Sequence, residues 1–136
     1  MCVRVLLQIT GDDGTADGAL EVVAFEKRTE QPEDLGLTIA DGKALMAAVQ
    51  QRVVNAQVTS WTEQHRRCEA CGARRRSKGS HPVVFLTLYG YVQIASPRLH
   101  RCPCQSPVGP ATVSPLRKLL PDYVAPERLY LEARWA

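Results

Sequence analysis

Aromatic residues are scarce: two tryptophans, four tyrosines and two phenylalanines make up 6% of the 136 residues. The core must therefore be packed mostly with aliphatic side chains. Long apolar runs are missing too, and none approaches the roughly 20 residues that a membrane-spanning helix needs. The opening MCVRVLLQITGDDG lacks the length and cleavage site of a signal peptide. These absences predict a cytoplasmic protein with no membrane partner. In a reducing compartment, disulfides do not explain five cysteines. Signatures of catalysis are equally thin, with no Gly-rich phosphate loop and no nucleophile elbow. The carboxylates of Asp12, Asp13, Asp17, Glu30, Glu33 and Asp34 fall in two polar stretches near the start. Two-metal phosphodiester chemistry needs carboxylates gathered at one centre. These are expected to be solvated loop charges, and the chain by itself is expected not to be an enzyme.

What is present is ordinary in amount and uneven in distribution. Hydrophobic residues make 45% and charged residues 23%, enough for one modest core or two small pieces. Residues 1–60 carry 5 Lys/Arg against 9 Asp/Glu, and residues 61–104 carry 8 against 2. An acidic half beside a basic segment points to a face that meets a polyanion.

The apolar pattern predicts an α+β chain. Val3–Ile9 and Ala19–Glu26 are rich in β-branched residues and flank a Gly/Asp-rich loop, as a hairpin would. Cys2 is expected to be a half-buried side chain at the strand start. Thr38 and Asp41 resemble a capping box, and Leu45, Val49, Val53, Val54, Val58 and Trp61 form a drifting apolar stripe. This predicts a helix of about 25 residues and about 37 Å, closing over the hairpin and ending near Arg67. Val83–Leu88 and Tyr91–Arg101 are the arms of a second hairpin, turning at Gly90. Tyr89 and Tyr91 are expected to pack on the helix. The stretch PCQSPVGPATVSP reads as a linker, LRKLLPDYV as one helical turn, and Pro126 as the first turn of a last helix. That helix stops at Trp135-Ala136 without a cap, so either the polypeptide is expected to have continued or a partner to cover Trp135. The expected organisation is 1–66 for hairpin and long helix, 67–105 for a zinc ribbon, and 106–136 for linker and helical stub.

Four cysteines carry the chemistry. Cys68-x-x-Cys71 is followed by Gly72, and Cys102-x-Cys104 encloses Pro103. Thiolates are the commonest ligands of structural Zn²⁺, which takes four in a tetrahedron. A C-x-x-C turn brings two sulfurs to one ion, and glycine suits the following position, which often needs positive φ. The hairpin then returns the chain so that the second pair completes the site. The expectation is one structural Zn²⁺ held by Cys68, Cys71, Cys102 and Cys104, a zinc ribbon with no open position for catalysis. His65, His81 and His100 are near enough to substitute, but ordinary roles are expected for them. Zinc contributes an apparent ~10–16 kcal/mol in small finger peptides, so residues 68–104 should disorder without it.

Arg66, Arg67, Arg74, Arg75, Arg76, Lys78, Arg98 and Arg101 surround these cysteines. Four thiolates with one Zn²⁺ leave this segment cationic. Guanidinium groups match phosphate oxygens with paired hydrogen bonds, so these eight residues are the expected contacts to double-stranded DNA. A solvated charged loop is the competing reading. Two other functions stand beside DNA binding: a zinc-ribbon protein-interaction module using the long helix and Trp135, and a redox protein using Cys68 and Cys71.

The segments CEACGARRRSKG, FLTLYGYVQIASPRLHRCPCQ and SPLRKLLPDYVAPERLYLEARWA resemble the N-terminal region of bacterial insertion-sequence transposases of the ISKra type. The likeness extends through EDLGLTIADGKALMAAVQQRVV over nearly the whole chain. It implies a zinc-bearing region that helps recognise DNA ends in transposition. It also implies a following catalytic domain of the RNase H type, whose residues match nothing here. The partners it implies are double-stranded DNA and either a second copy or that catalytic domain. The unfinished YLEARWA would then mark a truncated or decayed gene product.

Overall fold

Alternation of polar and apolar side chains sets the first two strands in the computed structural model, which describes all residues, Met1–Ala136. Strands β1 (Cys2–Leu7) and β2 (Leu20–Glu26) pair antiparallel, with Val3 opposite Phe25 and Val5 opposite Val23. These four residues form the more covered face, and Phe25 is its buried member. A register shift falls between Val5 and Leu6. The connecting loop, residues 8–19, has a tight turn at its tip, in which Asp13 Oδ1 accepts hydrogen bonds from the backbone N–H and hydroxyl of Thr15 at 2.9 and 2.6 Å. Those bonds stabilise the Asp13 carboxylate and lower its pKa. Asp12 and Asp17 are exposed in the same loop. Cys2 is exposed rather than half-buried, because the alternation turns Val3 inward and Cys2 outward.

Helix α1 (Ile39–Gln64) has 26 residues, about 39 Å at the usual rise. Its start bears out the capping box. The Thr38 N–H donates to Asp41 Oδ2 at 2.9 Å, and the Asp41 N–H donates to Thr38 Oγ1 at 3.1 Å. Lys27 Nζ also donates to Asp41 Oδ2, at 2.5 Å, and ties the end of β2 to the helix start. Together these bonds hold the Asp41 carboxyl down at about 2, the lysine contributing most. The chain divides into two compact units, Met1–Val54 and Asn55–Ala136. Val54 and Val58 are buried, and Trp61 is half-buried.

The second unit is built on a three-stranded sheet in the order β3–β4–β5 (Ser77–Thr87, Gly90–His100, Thr112–Val113). Strands β3 and β4 form the expected hairpin, longer at its base than the sequence pattern indicated. Gly90 has φ 108, and Thr87 Oγ1 donates to its carbonyl at 2.7 Å, which closes the turn. The inner face buries Phe85, Thr87, Val92, Ile94, Ser96 and Leu99. Tyr89 and Tyr91 do not pack on the helix. They are 46% and 73% exposed, Tyr89 in the turn and Tyr91 on the face opposite Val92.

The Pro-rich stretch expected to be only a linker supplies the third strand. Val113 pairs with Leu99 and Thr112 with His100. Ser114 then hydrogen-bonds buried Ser96 at 2.9 Å, which satisfies a hydroxyl that would otherwise be costly to bury. The Trp61 indole N–H donates to Pro115 O at 3.2 Å. Next comes α2 (Leu116–Leu119), a single turn that inserts Leu116 at 0% exposure. On the far side of β3, the Leu86 N–H donates to Tyr123 O and the Ala125 N–H to Leu86 O, both at 2.8 Å. Leu86 thus points its backbone groups away from β4. Pro82, four residues earlier in continuous register, shares that orientation, so its missing N–H removes no bond from the β3–β4 ladder. Helix α3 (Pro126–Trp135) begins with proline in its first turn, as expected. Trp135 is 85% exposed. No helix is long and apolar enough to cross a membrane.

Candidate metal centre

Cys68 and Cys71 follow the end of α1, in a knuckle that folds back on itself. The Gly72 N–H donates to Cys68 O at 2.9 Å, and the Cys68 N–H donates to Ala73 O at 2.8 Å. Gly72 has φ 73, the positive value its position was expected to need. Arg67 then bridges Arg74, and the Arg75 N–H donates to Arg66 O at 3.0 Å. The two arms of the knuckle, 66–68 and 73–75, thus form a miniature ladder. Cys102 and Cys104 follow β4 in a second turn, closed by the Gln105 N–H donating to Cys102 O at 3.0 Å.

The four sulfurs meet. Cys68 Sγ lies 3.6 Å from Cys104 Sγ, and Cys71 Sγ lies 3.4 Å from Cys102 Sγ. All four lie within 4.8 Å of one another, close enough to hold a metal ion. A tetrahedron of thiolates about 2.3 Å from a zinc ion has edges of about 3.8 Å, so the donor set fits such an ion in number, type and spacing. Each closest pair joins one cysteine of the first turn to one of the second. Cys68 and Cys102 are buried, while Cys71 and Cys104 are exposed. The Cys68 thiol is pulled down to about 6, first by the backbone N–H of Cys71, then by that of Ala70, against the cost of its burial. Cys104 is pushed up to about 12, chiefly by hydrogen bonding to Cys71, then Cys102 and Cys68. The backbone N–H groups of the first turn thus favour a thiolate at Cys68, while neighbouring sulfurs disfavour a second one at Cys104.

No histidine belongs to this cluster. His65 stacks on Trp61 at 3.7 Å between ring centroids and bonds Trp61 O through Nδ1 at 2.8 Å. His81 is half-buried on β3, and His100 is exposed at the end of β4.

The eight basic residues divide into two groups. Five are tied within the chain. Arg66 and Arg74 pair with Glu63, at 2.9 and 3.2 Å. Arg67 donates to Gly72 O at 3.2 Å, and Arg75, half-buried, donates to Arg67 O at 3.5 Å. Arg101 donates to both Pro107 O and Gly109 O, at 3.0 and 3.1 Å, and spans the loop before β5. Arg76, Lys78 and Arg98 are exposed and make no side-chain hydrogen bond or ion pair. Arg98 flanks buried Leu99 on β4, and the Arg76 carbonyl accepts the His100 N–H at 2.8 Å. An open hollow of about 590 Å³ lies beside the cysteine cluster, lined by Arg74, Arg75, Arg76, Ser77, His100 and Arg101.

Two acidic residues of this region were not singled out from the sequence. Glu69 pairs with Lys118 at 2.6 Å, and that lysine is the main reason its pKa is lowered. Glu63, three residues before Arg66, carried a readable signal in its helical spacing. Its second bond, to Arg74, depends on the knuckle and has no local signature. No protein-family model, curated protein or solved structure matches the chain.

Proposed function

We propose that the four cysteines hold one structural Zn²⁺ and that the chain is the DNA-contacting, N-terminal region of an insertion-sequence transposase of the ISKra type. In this reading the ribbon binds the phosphate backbone of double-stranded DNA and does no chemistry alone. The observation that carries it is the four-sulfur cluster together with Arg76, Lys78 and Arg98, which are exposed and have no side-chain partner within the chain. A thiolate tetrahedron leaves no open coordination position, which suits a structural ion. Zinc is favoured over other metals because an all-cysteine set is soft and tetrahedral. The metal staples the two knuckles together and so fixes the backbone from which the cations project. Cations with no internal partner are the ones able to bind phosphate without first breaking a bond. Residues tied internally, such as Arg75 and Arg101, shape that surface.

The test is a salt titration of duplex binding with zinc-loaded protein. Log affinity should fall linearly with log salt, and each lost phosphate contact should reduce the slope by about 0.9. Changing Arg76, Lys78 and Arg98 together to Ala should lower the slope by about 2–3 and weaken binding to all sequences alike. An unchanged slope would remove these residues from the DNA contact.

A second reading, a protein-interaction module, draws on α3, where Leu129, Tyr130, Leu131 and Trp135 are 49%, 61%, 41% and 85% exposed. It gains if the zinc-loaded protein shows no affinity for DNA at low salt.

A further inference from the structure

Glu63 stands among the cations of the ribbon, and its two carboxylate oxygens meet two different guanidinium groups. Oε1 lies 2.9 Å from Arg66 Nη1, and Oε2 lies 3.2 Å from Arg74 Nη2. The two arginines come from opposite arms of the knuckle. Their backbones are set by the Arg67–Arg74 bridge and by the bonds from Cys68 to Ala73 and from Arg75 to Arg66. The carboxylate therefore does not create their spacing; it occupies it. Two guanidinium groups sharing the two oxygens of one anion is also how a phosphodiester is gripped.

The occupant is poorly placed. Glu63 lies in the last turn of α1, which contains no basic residue. A negative charge there is repelled by the partial negative charge of the helix C-terminus. The side chains of Glu63 and Arg74 are 52% and 62% exposed. The Glu63–Arg74 pair, this open, holds its partners by a factor of only about two to five, whereas Arg66, at 26% exposure, is the more covered of the two arginines.

We propose that Arg66 and Arg74 form a slot for one backbone phosphate of DNA, which the Glu63 carboxylate fills in the free protein and leaves on binding. This rests on the DNA-contact reading above and adds a specific phosphate position and the group that competes for it. Glu63 then acts as a built-in competitor. It lowers the affinity of the ribbon for any stretch of duplex and leaves more of the binding free energy to contacts elsewhere.

The experiment compares zinc-loaded wild type with Glu63→Gln and Glu63→Ala by duplex titration at about 50 mM salt. Both variants should bind about five-fold tighter. The gain should vanish when Glu63→Gln is added to an Arg66→Ala/Arg74→Ala background. Glu127→Gln, which removes an equal charge from an exposed residue with no ion pair, should leave affinity nearly unchanged. If wild type and the Glu63 variants bind DNA equally, the slot is overturned and the DNA reading stands. An equal gain from Glu127→Gln would reduce the effect to net charge and overturn the slot as well. No duplex binding by wild type or variants would overturn the DNA reading and the slot with it.

Discussion

The Sγ atoms of Cys71 and Cys102 lie 3.4 Å apart although the residues are 31 positions apart in the chain. A disulfide would place them about 2.05 Å apart, so the distance belongs to two free thiols in contact. The β3–β4 hairpin brings them together: it leaves the first knuckle at Ser77 and returns to the second after His100. A metal bound here closes the hairpin at its open end, opposite the Gly90 turn.

Withholding metal from these four cysteines should therefore act on one unit. With a near-stoichiometric chelator, amide protection should be lost across residues 68–104, while β1, β2 and the start of α1 keep theirs. Native mass spectrometry should find one metal ion per chain, and Cys102→Ser should reduce metal affinity sharply. Intact protection in β3 and β4 after chelation would show that the hairpin stands without an ion.

Asp41 makes the first unit sensitive to acid. Its carboxyl sits at about 2, against an ordinary 3.8, because Lys27 and the Thr38 N–H favour the charged form. A value lowered by folding means that the stabilisation is complete above the unfolded value and is lost as pH falls through the folded one. The window is therefore about pH 4 down to about 2. Urea midpoints of wild type should drop across this window, whereas Asp41→Asn should start lower and change less. Parallel curves for the two proteins would remove Asp41 from the acid response.

The core of the second unit rests on a residue from its shortest helix. Leu116 is 0% exposed, and Leu116→Ala should cost about 2–5 kcal/mol in urea unfolding. Leu119, in the same turn, is 39% exposed, and its replacement by Ala should cost far less, about 0.5 kcal/mol. Similar losses at both positions would mean that α2 is not anchored through Leu116.

These results show which features can be read along a chain. The capping box at Thr38, the positive φ of Gly72, the Gly90 turn and the four-cysteine cluster all depend on residues close in sequence or on chemistry that few residue types supply. They were legible. Strand β5 was not, because two residues between prolines carry no periodicity; its existence depends on the edge that β4 offers. The exposure of Tyr89 and Tyr91 was missed because an aromatic side chain at a hairpin tip has the same residue type whether or not a surface covers it. Among the basic residues, charge was readable but partnership was not. Arg101 looks as free as Arg98 until the loop carbonyls of Pro107 and Gly109 fold around it.

Pro82 gives the sheet an end. Leu86 is already engaged by Tyr123 and Ala125, so the open border of β3 begins below it, at Val84, and meets Pro82 within one more outward-facing position. A strand arriving from another molecule would find a rung missing almost at once, with the Lys78 ammonium a short way beyond. Growth of the sheet from chain to chain is therefore blocked on this side by one imino acid that the fold itself tolerates at no loss.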